Sequence, residues 1–101
     1  MTRPAESYFL ALDQGGHSSR ALVFSAEGEV IARAQAAVAT RYPHSGWAEQ
    51  DADALVTSLR AVLVEVYVAL GNRAARVCSA GLATQRSNIV CWDSRDGRAL
   101  S

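Results

Sequence analysis

The stretch Tyr8–Arg20, YFLALDQGGHSSR, constrains the fold more than any other part of the chain. Tyr8–Leu12 is continuously apolar, too short for a helix, and closed by an acid and a glycine pair. Such a run reads as a strand buried on both faces at the centre of a sheet. Asp13 stands at its end. Gly15 and Gly16 follow, where a larger side chain would hold the backbone away from an anion. Ser18 and Ser19 then offer hydroxyls, and Arg20 a permanent positive charge. Backbone N–H groups in a small-residue turn make a concave anion site, and an acid beside it can reach a metal ion carried by a phosphate. The competing reading is an ordinary hairpin turn in a β protein.

The 101 residues suffice for one modest domain with a small core. Half are hydrophobic and a fifth charged, the balance of an ordinary globular protein. Ten cationic residues face ten acidic ones, so no basic surplus exists to attract nucleic acid. Every one of those cations is an arginine. Without lysine there is no P-loop and no Schiff-base chemistry. Cys78 and Cys91 lack metal-site spacing and fall in apolar runs, which predicts buried thiols in a reducing compartment. Arg3 is followed by no apolar stretch long enough for a signal segment, and no run approaches the roughly 20 apolar residues of a membrane span. The expectation is a cytoplasmic protein without membrane partners.

Met1–Ser7 is a polar lead-in. Arg20–Phe24 reads as a second strand, after a loop Asp13–Ser19, and Val30–Val38 as a third, with period-two alternation. Gly28 lies in the turn between them, so the two strands form an antiparallel hairpin. Thr40–Gln50 is a loop, in which His44 and Trp47 shape the approach to a helix. Asp51 is its N-cap, and Leu55, Leu59, Val62, Leu63, Val66 and Leu70 form its apolar stripe. Gly71 and Asn72 end it. Val77–Ala83 reads as a fourth, central strand, reached by a crossover and parallel to the first. Asn88–Asp93 reads as a fifth, with Trp92 in hairpin packing and a turn through Gly97. The order is β-β-β-α-β-β, an α/β mixed sheet. Ligands collect at the carboxyl ends of parallel strands, which places Gln85 and Arg86 in the same cleft as Asp13.

Three segments in order, LALDQGGHSSRALVF, YPHSGWAEQD and GLATQRSNIVCWD, resemble the N-terminal part of FGGY carbohydrate kinases, with glycerol kinase-like members nearest. The resemblance runs from Tyr8 to the last residue. It implies a ribonuclease-H-like fold of the actin and hexokinase type, of which residues 8–101 would be the first part of the N-terminal lobe and the C-terminal lobe would be absent. It implies phosphoryl transfer from Mg2+-bound ATP to a hydroxyl of a sugar or polyol. Asp13 would face the metal and phosphates, and Gly15, Gly16, His17, Ser18 and Arg20 would line the phosphate site. Gln85, Arg86 and Ser87 would hold the substrate. The catalytic base would lie downstream, outside these residues, so the 101-residue chain alone is expected to be inactive.

Gly16 and His17 stand where glycerol kinases usually carry two threonines, and Ser87 where they carry a glutamate. An arginine–carboxylate pair clamps a diol, and a serine cannot replace it. These departures keep two alternatives open: a non-catalytic sugar- or nucleotide-binding remnant, and a small interaction module that forms a homodimer through uncovered sheet edges.

Overall fold

The computed structural model describes residues 7–86 and 88–100. Four strands form one sheet in the order β3-β2-β1-β4. They are β1 (Tyr8–Gln14), β2 (Ser18–Ser25), β3 (Val30–Ala37) and β4 (Val77–Thr84). One α-helix among the described residues, α1 (Ala52–Leu70), covers one face.

β1 continues past its apolar run because Asp13 and Gln14 pair with Arg20 and Ser19 in the antiparallel ladder with β2. Asp13, Ser18 and Ser19 are therefore strand residues, and the expected seven-residue loop shrinks to three. β1 is central, as its composition predicts, but only one of its faces is covered. Tyr8, Leu10 and Gln14 are buried under α1, whereas Phe9 on the opposite face is exposed. The expectation of burial on both faces is corrected: a sheet with one helix has one dry side. The buried core is Tyr8, Leu10, Ala21, Val23, Ala34, Val62, Val66 and Leu70.

β2 and β3 form the expected hairpin. Gly28 sits at φ 87°, the left-handed region that a side chain resists, and the turn closes with the Gly28 N–H donating to the Ser25 carbonyl at 3.0 Å. The loop to α1 is pinched shut by a backbone pair. Arg41 N–H donates to Glu49 O at 2.7 Å, and Glu49 N–H donates back at 2.8 Å. Inside it His44 and Trp47 meet edge to face, with ring centroids 4.5 Å apart.

Asp51 caps α1 by accepting the Asp53 N–H at 2.9 Å. Val62, Val66 and Leu70 are buried, and Leu55, Leu59 and Leu63 partly so. Gly71, at φ 58°, ends the helix by donating its N–H to the Tyr67 carbonyl. A 3₁₀ turn, Gly71–Arg76, which no local pattern announces, then leads into β4. By length and composition alone, Ala52–Arg76 is long and apolar enough to cross a bilayer, contrary to expectation. Its apolar stripe instead packs on the sheet.

β4 runs parallel to β1, as predicted, but occupies the edge rather than the centre. Centrality needs a further strand, and Asn88–Asp93 does not form one. The described residues there make a single antiparallel bridge, Trp92 to Ala99, around a tight turn in which Gly97 N–H donates to Asp93 O at 2.8 Å. Trp92 is 61% exposed, so the expected hairpin packing is absent. Arg95 donates to both carboxylate oxygens of Asp93, at 3.0 and 2.7 Å, and holds that carboxyl below the usual carboxylate range. Cys78 and Cys91 are free and exposed, not buried. One lies on the edge strand and the other beside the Trp92–Ala99 bridge, outside the sheet.

Candidate functional site

The period-two alternation of β1 and β2 divides the predicted site residues between the two faces of the sheet. Gln14 and Ser19 lie beneath α1. The Ser58 hydroxyl donates to the Leu55 carbonyl at 2.7 Å, so the 2.7 Å contact between Ser19 and Ser58 is donated by Ser19. This buried hydroxyl pair ties the start of β2 to the helix. Asp13, Ser18 and Arg20 lie on the uncovered face. Asp13 and Arg20 are direct partners in the ladder, and an Arg20 Nη2 donates to Asp13 Oδ2 at 2.7 Å. Gln35 Nε2 donates to Ser18 Oγ at 2.9 Å. That bond uses the acceptor side of the hydroxyl and leaves its proton available to an anion.

The turn between these strands is tight. Gly15 N–H donates to Ser18 O at 2.9 Å, and a Cβ on Gly15 would approach that carbonyl to 3.2 Å, closer than side chains normally come. Gly16 is under no such constraint: a Cβ there would meet only Gln85 Oε1, at 3.8 Å. His17 is exposed, and its carbonyl accepts the Val38 N–H at 2.9 Å.

On the helix side of the turn opens a cleft of about 700 Å3. Gly16, His17, Thr40, Gln50 and Gln85 line it, and Ile89 and Val90 form an apolar wall. The parallel register sets Gln14 beside Thr84, so Gln85 emerges next to the turn. Its amide nitrogen donates to Gln50 Oε1 at 2.7 Å and reaches Gln14 Oε1 at 3.5 Å. Gln50 Nε2 donates to Gly16 O at 2.8 Å and to Thr40 Oγ1 at 3.2 Å, and Gln14 Nε2 donates to Gly15 O at 2.7 Å.

One group of expected residues, Asp13, Ser18 and Arg20, thus gathers on the open face. Another, Gly16, His17 and Gln85, borders the cleft, and Gly15 sits in the turn that joins them. Arg86 is exposed and does not line the cleft. Ser87 lies outside the described residues. Among the described residues no three His, Cys, Asp or Glu side chains converge. A single carboxylate still suits Mg2+, which keeps several waters and takes phosphate oxygens as further ligands. Asp13 fits that part, with Oδ2 engaged by Arg20 and Oδ1 without a hydrogen bond among the described residues.

Residues 8–101 match the FGGY family of carbohydrate kinases, N-terminal domain. The chain belongs to this family. Glycerol kinase from Acinetobacter baylyi is 42% identical over 95 residues, which are 94% of this chain and 19% of the relative. Xylulose kinase from Rhodospirillum rubrum superposes with a TM-score of 0.87 at 29% identity, over 93% of this chain and 19% of that one. The crystal structure of Plasmodium falciparum glycerol kinase with ADP shares the fold, with a TM-score of 0.78 at 20% identity over 95% of this chain and 19% of that one. The FGGY chain described here spans about a fifth of the length of these relatives.

Three residues of the candidate site were not picked out from the sequence: Gln50, Gln35 and Thr40. Gln50 stands in the segment YPHSGWAEQD, immediately before the helix cap. A long amide at the end of the loop, one residue before the helix cap, was the available signal. Gln35 was visible as a polar position on β3, opposite Arg20 in the ladder.

Proposed function

We propose that this chain is the first part of the N-terminal lobe of an ATP-dependent sugar or polyol kinase. The observation that carries this reading is the single turn of residues 15–17, with an acid, a hydroxyl and an arginine on one side and a cleft on the other. A phosphoryl donor and an acceptor need such adjacent but separate sites, because transfer depends on positioning and electrostatic stabilisation. Mg2+ would neutralise charge on the phosphates. Asp13 would hold it, Arg20 would turn from Asp13 to phosphate oxygens, and Ser18 would donate its free proton to them. The backbone of Gly15, Gly16 and His17 would approach the same phosphates. Gln85 at the cleft, with Arg86 and Ser87 after it, would bind the hydroxyl compound. Ser87 cannot form the carboxylate half of a diol clamp, so the reading names the class, polyol or sugar, and not glycerol. A cytoplasmic location belongs to the same proposal and is supported by the free, exposed thiols of Cys78 and Cys91.

The test is a kinase assay of the natural gene product against a panel of polyols and sugars, with intact mass measured on the same sample. The expected results are a mass several times that of this chain, and ADP formation dependent on one class of hydroxyl compound. Arg86→Ala should raise the KM for that compound roughly 10- to 100-fold, the value of a charged hydrogen bond, and spare the KM for ATP. The isolated 101 residues should form no ADP above the blank, since the base is expected elsewhere. A natural product of 101 residues, inert toward the panel, would sink the catalytic reading. The exposed edge of β4 favours one second reading, an interaction module that dimerises through that edge. Light scattering that finds a monomer at high concentration excludes it.

A further inference from the structure

Two parallel strands, β1 and β4, end side by side, and glutamine amides bridge their ends. Gln85 follows β4, and its amide nitrogen reaches Gln50 at 2.7 Å and Gln14 at 3.5 Å. Each of those glutamines in turn donates to a carbonyl of the turn, Gln50 to Gly16 and Gln14 to Gly15. We propose that Gln50 is a positioning residue that couples the turn of residues 15–17 to the segment carrying Gln85 and Arg86. This rests on the kinase reading for its catalytic consequence, but not for its structural one.

The physical content lies in the peptide plane. A trans peptide points its C=O and the following N–H in opposite directions. Holding the Gly16 carbonyl toward Gln50 therefore aims the His17 N–H away from the glutamines. Holding the Gly15 carbonyl toward Gln14 does the same for the Gly16 N–H. Gln50 thus decides where a backbone donor of the turn points, although it is 34 residues away in the chain. Its two ends have opposite polarity, and both are needed. Oε1 accepts from Gln85 while Nε2 donates to Gly16 O and Thr40 Oγ1. Glutamate has the same shape but would set an acceptor 2.8 Å from the Gly16 carbonyl. The bond to Thr40 anchors Gln50 to the mouth of the loop that the Arg41–Glu49 pair closes. A shift at Gln85 on substrate binding is then felt at the turn, most directly through Gln50, whose bond to Gln85 is the shorter of the two.

The experiment uses the natural full-length protein and Gln50→Glu, Gln50→Ala, Gln85→Ala and the Gln50→Ala/Gln85→Ala double variant. Gln50→Glu and Gln50→Ala should each lower kcat about tenfold or more, since misplacement of a reacting group is costly, while the melting temperature moves by only a few degrees. The double variant should be no worse than Gln50→Ala alone, because the residues act as one unit. Independently of activity, amide hydrogen exchange in the ligand-free protein should quicken across residues 14–18 in the Gln50 variants and not in the β2–β3 hairpin. Unchanged kcat in Gln50→Glu, multiplicative effects in the double variant, or unchanged exchange at the turn would each overturn the proposal. Should Gln50→Ala fail to fold, Gln50→Glu carries the same readouts. A wild-type protein that phosphorylates nothing in the panel defeats the kinase reading, and hydrogen exchange still decides this one.

Discussion

The Asp13–Arg20 ion pair, assigned to the phosphate site in the proposed function, contributes little to stability. Its side chains are 37% and 52% exposed, and such a pair contributes between zero and about 1 kcal/mol. Asp13→Asn in the full-length protein should therefore change the unfolding free energy by less than about 1 kcal/mol in urea titrations. The same variant should lower kcat by about 100-fold or more, as expected when a charge aimed at the transferring group is removed. A large loss of stability with little loss of kcat would reassign Asp13 to the framework. Gln35 belongs to the same scale. Its bond to Ser18 is made on the uncovered face, where it orders a hydroxyl rather than a core. Asp13 and Arg20 could be picked out in the sequence because a local pattern, acid–turn–hydroxyl–arginine, carries them. Gln35 and Gln50 were visible only as polar positions, because each acts on a residue 17 or 34 positions distant and no local pattern encodes that contact.

At the scale of elements, the helix and the hairpin are the parts whose signals are complete within their own residues. α1 has its cap at Asp51, its stripe at helical spacing and its stop at Gly71. The energetic ranking within it follows from burial. Val66 is fully buried, and Val66→Ala should cost about 2 kcal/mol from lost transfer energy and the cavity left behind. Asp51→Ala should cost about 1 kcal/mol by freeing the Asp53 N–H. Val68 is 77% exposed, and Val68→Ala should stay within roughly 0.5 kcal/mol. Urea unfolding of the variants checks the order, and a Val68 effect as large as that of Val66 would mean that the outer face of α1 is also packed. Strand ends are less legible in the sequence than helix ends. A ladder continues for as long as its partner does, so Asp13, Gln14, Ser18 and Ser19 joined strands that their own propensities would have ended.

At the scale of the whole sheet, the decisive fact is that among the described residues β4 has a neighbour on one side only. An apolar strand reached by a helical crossover reads as central, but its position depends on what lies beyond it. Asn88–Asp93 makes one bridge within its own turn and adds no ladder to β4. The consequence can be measured on the 101-residue chain. Cys78 and Cys91 should both be modified by a thiol reagent without denaturant, as exposed thiols are. Protection of Cys78 would place a partner over the β4 edge.

The sequence alone determined what depends on neighbours within a few residues: the apolar run of β1, the glycine turn, the hairpin, the cap and stripe of α1, and the resemblance that names the FGGY family. Spacing also sufficed to bring Gln85 to the turn, because two parallel strands joined by a helix must end on the same side. Only the tertiary structure decided which face of the sheet each site residue occupies. Only it showed that β4 lies at an edge, and that Gln50 closes the gap between the strand ends. Those outcomes rest on pairing and packing between distant segments. Their free energy comes from contacts that exist only once the sheet and helix are assembled.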